Sequence, residues 1–150
     1  MRKNIIEILT EEHQVLIKMI GTILSNPDPE ERKSIYLDLR EILITHITGE
    51  ERTLFKNLLK NKCPDKISDQ IDKVEFEQDK VRELLESLDS HFIESSEWET
   101  DLLHLKAQIE RHIERLEEEL FIGAGEELNH QDLVELALEY ESIKKQVPLF

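Results

Sequence analysis

The sequence is poor in several features that mark whole classes of protein. A single cysteine, Cys63, among 150 residues excludes an intrachain disulfide and fits a reducing compartment. Basic residues are outnumbered, with 19 Lys and Arg against 34 Asp and Glu and a net charge of −15. That balance excludes the usual kind of nucleic-acid binder, which needs a positive face for the phosphates. It also argues against docking on an anionic membrane. No run approaches the roughly 20 apolar residues of a membrane span. Glu7, Glu11 and Glu12 interrupt the opening residues, against a signal peptide, so the expected location is the cytoplasm. With only four Gly and four Pro, 5% aromatics and no alternating apolar pattern, no strand signal competes with helix. No nucleophile–base pair, phosphate loop or substrate-binding insert stands out, which favours binding or sensing over turnover.

What is present reads as helix. Hydrophobic residues at 39% and charged ones at 35% are too well mixed for a disordered acidic tail, and the length suits one domain with one core. Asn4, Asp28, Asp65, Ser96 and Asn129 stand where helix caps belong, several with an acid three residues on. Pro29 occupies a first helical position. Helices are expected over 4–25, 29–61, 65–91, 97–122 and 129–146. Apolar seams step by three and four, as in Ile6, Leu9, His13, Leu16, Ile20 and Ile23. Such spacing with short loops predicts an all-α fold, an antiparallel up-and-down four-helix bundle over about 4–122. The fifth segment (Leu133, Leu136, Ala137, Tyr140) is expected to pack outside it as a short accessory helix.

Each of the four main seams is broken near mid-length by a polar residue: His13, His46 with Glu50, Glu77 or Gln78, and His112. A polar side chain buried without partners costs roughly 1–3 kcal/mol, so four such breaks call for a common cause. Counted from the loops at about 1.5 Å per residue, they fall on one level of the bundle to within a few Å. Imidazoles and carboxylates aimed inward from facing helices make a transition-metal site. His46 and Glu50, four apart, share one helix face. With no cysteine in the seams, a thiolate zinc site is excluded; nitrogen and carboxylate ligation suits non-haem iron, with manganese or zinc as alternatives. Gly49 either leaves room for a small ligand or permits close packing. Within Glu117-Glu118-Glu119, a solvated run for the most part, one member is a candidate to turn inward. His91, His104 and His130 are weaker candidates. The only Glu-x-x-His, Glu127 to His130, falls outside the seam, against a ferritin-type di-iron site.

With these residues in hand, the chain resembles the hemerythrin-like, or HHE cation-binding, family. The likeness rests on Glu12-His13 with Leu16 and Ile17, on the string from His46 through Gly49-Glu50 to Leu54-Phe55, and on His112 through Leu120-Phe121. It covers roughly residues 4–122. The resemblance implies a non-haem, usually di-iron, site in an up-and-down bundle, with O2 binding or the sensing of O2, NO or iron. Two positions depart from it. Gln78 stands where the family has a third-helix histidine, with Glu77 beside it as a substitute carboxylate. Leu116 stands where the family often has Glu, while Glu117 matches the spacing of a bridging Asp in the hemerythrins. The expected ligand set is therefore His13, His46, Glu50 and His112, with Glu117 and Glu77 in reserve. A mononuclear, asymmetric or carboxylate-rich site, with one iron or two, is expected rather than a five-histidine O2 carrier. The competing reading is a metal-free helical interaction module, such as a phosphotransfer domain with an exposed His46. The burial of His46 discriminates between the two.

Overall fold

A computed structural model describes residues 2–146, and among these every regular element is a helix. Helix α1 spans Ile5–Ser25 and α2 spans Pro29–Glu50. Without a break, α2 runs through a π-helical turn, Glu51–Phe55, into α3, Lys56–Lys60. Helix α4 spans Asp65–Ser90. Helix α5, Ser96–Arg115, likewise continues through a second π turn, Leu116–Leu120, into α6, Phe121–Glu127. Helix α7 spans His130–Lys144. No described helix is long and apolar enough to cross a membrane.

Local chemistry sets most of these ends. Asn4 and Asn129 each form a reciprocal capping box, with Glu7 and Asp132. Asp28 caps through the Glu30 amide ahead of Pro29. Two expected caps move by one residue. Ser95, not Ser96, accepts from the Trp98 amide, and Pro64, which has no side-chain acceptor, precedes α4 in place of Asp65. The helix expected to stop at residue 122 carries on to Glu127, because neither Gly123 nor Gly125 turns out of helical geometry.

Side-chain cross-links show how neighbouring helices run. Glu12 pairs with His46 while Arg32 reaches the Ile23 carbonyl, so α1 and α2 are antiparallel. Arg40 meets Asp89 and Arg82 meets Glu51, so α2, with the π turn that continues it, runs antiparallel to α4. Ser87 meets Asp101 and Arg115 meets Glu77, so α4 and α5 also run oppositely. The core consists of two apolar halves. One gathers Leu9, Leu54, Val74 and Leu116 with their neighbours, and the other gathers Leu16, Leu43, Val81 and Ile109. In each of the four long helices the polar residue lies between one half and the other, so a polar layer crosses the bundle where the sequence placed it.

Helix α7 does more than sit outside. Its Leu133, Leu136, Ala137 and Tyr140 belong to the first apolar half, packed on α1, α2 and the first π turn. Tyr140 is fully buried against Gly49, where an added Cβ would lie 2.3 Å from the ring. The space freed by Gly49 is therefore filled by an aromatic ring, and the close-packing alternative describes it.

Candidate metal centre

Four ligand-bearing side chains meet in the polar layer. His13, His46, Glu50 and His112 are all buried, and each offers one nitrogen or oxygen within 4.8 Å of the others. The His13 ring centre lies 4.9 Å from that of His46 and 5.5 Å from that of His112; His46 and His112 are 5.8 Å apart. The carboxylate of Glu50 stands between two of the rings. Its Oε1 is 3.1 Å from Nε2 of His112 and 3.1 Å from Nε2 of His46, though only the first contact has hydrogen-bond alignment. Gln78 donates its amide to the same oxygen at 3.3 Å.

The outer nitrogens of two rings are fixed by carboxylates. Nδ1 of His13 lies 2.7 Å from Oε2 of Glu117, and Nδ1 of His46 lies 2.7 Å from Oε1 of Glu12. A carboxylate can only accept, so each Nδ1 carries a proton, which leaves Nε2 as the nitrogen that can meet a cation. Glu117, itself an expected ligand, thus holds His13, a candidate ligand, from behind. Glu77 is turned away altogether: Arg115 donates to it at 2.5 Å and Arg111 lies 3.8 Å from it. His91, His104 and His130 are exposed.

What makes the layer a candidate cation site is its unspent bonding capacity. Nε2 of His13, Nε2 of His46, Oε2 of Glu50 and Oε1 of Gln78 are buried without hydrogen-bond partners. Each such atom costs about 1–3 kcal/mol, and three of the four belong to the convergent ligand set. A cation with nitrogen and carboxylate preference satisfies those three together. The electrostatics of the metal-free layer differ from ring to ring. Burial resists the charge on Glu50, yet His46 and His112 hold its carboxyl far below the usual range. Burial, followed by the charge of His46, pushes His13 down to about 3, so it is neutral at pH 7. His46 is raised to about 9, against the pull of burial, by Glu50 and by its bond to Glu12, so in the metal-free chain it holds a second proton that a bound cation would displace.

The family model for the hemerythrin HHE cation binding domain matches residues 4–122. The chain belongs to that family. Neither the curated proteins nor the solved structures provide a match. All four convergent residues of this HHE domain lie inside the matched region, while α7 lies outside it.

Reasoning from the seams missed Glu12 as a functional residue, because it is half-buried beside the seam. It also missed both π turns, although a signal was present. His46, Glu50, Leu54 and Leu58 step by four, as do His112, Leu116, Leu120 and Ala124, and all eight are buried. In a regular α-helix each step of four drifts by about 40°. A π turn, closed from Lys56 to Glu51 in one helix and from Phe121 to Leu116 in the other, absorbs that drift.

Proposed function

We propose that this HHE domain holds one iron ion in the polar layer and uses it to bind or sense a small diatomic ligand, O2 or NO, in the cytoplasm. The observation that carries the reading is the set of buried, partnerless atoms on His13, His46 and Glu50, aimed at one point with His112. Three imidazoles and one carboxylate make a donor set for iron, with manganese and zinc as alternatives. Gln78 and Leu116 supply no further nitrogen or carboxylate, Glu77 is spent on Arg115, and Glu117 on His13. The donors therefore suffice for one ion rather than two.

Bound iron supplies redox chemistry and affinity for O2 or NO. The chain's own residues do the rest. Glu12 and Glu117 hold the proton on Nδ1 of His46 and His13, so that Nε2 of each ring is the atom left to face an ion. Glu50 contributes the negative charge that offsets a cation, and Gln78 holds one of its oxygens in place. The apolar halves above and below, with Phe121 stacked 6.0 Å from His13, exclude bulk water. An up-and-down bundle with α7 laid across α1 and α2 supplies the frame. His46 is only 1% exposed, which leaves no face for a phosphoryl donor and disfavours the phosphotransfer alternative.

Metal analysis of protein expressed with iron supplementation tests the proposal. The wild type and His130→Ala should carry iron, while His46→Ala and His112→Ala should lose nearly all of it. Equal, near-zero metal in all four would favour a metal-free helical module instead.

A further inference from the structure

The last helix of the matched region is not the last element to reach the site. On the side of Glu12 remote from the histidine, Nζ of Lys144 lies 2.7 Å from Oε2. The hydroxyl of Tyr140 donates to Oε1, the same oxygen that accepts from His46. That hydroxyl is also 3.5 Å from Nδ1 of His46. Tyr140 is fully buried, and Gly49 is the residue whose missing side chain admits it. Glu12 therefore has three donors, from α2 and α7, and each constrains where its carboxylate can sit.

We propose that α7, outside the region shared with the family, is a working part of the metal centre. Tyr140 and Lys144 act as positioning residues that lock Glu12 as acceptor for His46 and so hold Nε2 of that ring aimed into the site. The inference rests on the metal reading above, and it adds a residue set that the family match does not reach. The physical basis is that partners behind a ligating imidazole set its orientation and basicity, and their loss typically lowers metal affinity by about 10–100-fold. Lys144 is partly exposed, so its share is the smaller.

The test is a Co2+ titration of the full metal-free chain, by competition with a chelator and by the visible ligand-field spectrum. The set is wild type, Tyr140→Phe, Glu12→Gln and the double variant. Phenylalanine keeps the ring against Gly49 and removes only the hydroxyl. Tyr140→Phe should weaken Co2+ binding by about tenfold and shift the spectrum, with little change in the melting temperature of the metal-free chain. In the double variant, the loss should not exceed that of Glu12→Gln, because the hydroxyl acts through that carboxylate. Wild-type affinity and spectrum in Tyr140→Phe, or losses that simply multiply in the double variant, would overturn the relay while leaving the metal reading intact. A wild-type chain that binds no Co2+ would overturn both.

Discussion

His13 and His46 are each held from behind by a carboxylate on another helix at the same 2.7 Å, yet the two carboxylates live differently. Glu12, behind His46, has three donors, and the side chain is 18% exposed. Burial works against its charge, but the bonds from His46, Lys144 and Tyr140 hold it at about 2. Glu117, behind His13, is 28% exposed and accepts from that histidine alone among the described contacts. Burial, then the neighbouring Glu118, raises its pKa. One side of the centre is thus braced through a whole extra helix, and the other rests on a single bond at the edge of solvent. The contrast shows that equal distances to a ligand do not mean equal support.

Removing either ligand should erase the contrast. His46→Ala and His13→Ala are each expected to abolish iron loading, measured by metal analysis, since each takes one of four donors. Removing the supports should expose it. Glu12→Gln is expected to cost about 10–100-fold in Co2+ affinity, and Glu117→Gln less than about tenfold. Equal losses would show that the bracing by α7 adds nothing.

The two histidines should also separate with pH in the metal-free chain. His13 has a folded pKa of about 3 against an ordinary 6.5. Its neutral burial therefore stabilises the fold fully above about pH 6.5, and the contribution falls as pH drops toward the folded value, because the unfolded chain takes up the proton first. His46, raised to about 9, behaves oppositely: its contribution is complete below about pH 6.5 and is lost as pH rises through 9. Thermal melts should show greatest stability near pH 6.5, and His46→Gln should flatten the alkaline limb. An alkaline limb unchanged in that variant would contradict the assignment. The smallest difference concerns packing. Gly49→Ala drives a methyl into Tyr140 and should cost about 1–3 kcal/mol in denaturant melts. Gly125→Ala, which meets nothing within 4 Å, should be neutral or mildly stabilising.

The braced side and the single-bond side were not equally legible in the sequence. The candidate ligands, His13, His46, Glu50 and His112, interrupt apolar seams, and a buried polar residue in a periodic pattern is conspicuous. Gln78 at the same level was visible for the same reason. Glu12 entered only with the Glu12-His13 string of the family resemblance, and its bond to His46 was not legible, since a glutamate beside a seam looks like any other on a solvated helix face. Tyr140 read as plain core, because nothing in the spacing of α7 says where its hydroxyl ends. Glu77 shows the converse. Its position suggested an inward carboxylate, and Arg115, one turn past Arg111 on the facing helix, claimed it. Helix existence and cap chemistry were legible, as Asn4 and Asn129 show. The π turns were encoded in the runs of four-residue steps, which a search for mixed three and four spacing passes over.

X-ray absorption at the iron edge of the iron-loaded chain tests the central claim most directly. The account predicts a single iron with imidazole nitrogens and carboxylate oxygen around it and no metal–metal scattering. In His46→Ala loaded to whatever occupancy it reaches, the imidazole contribution should fall. A clear metal–metal vector, or a coordination shell without imidazole, would contradict a one-ion centre built from His13, His46, Glu50 and His112.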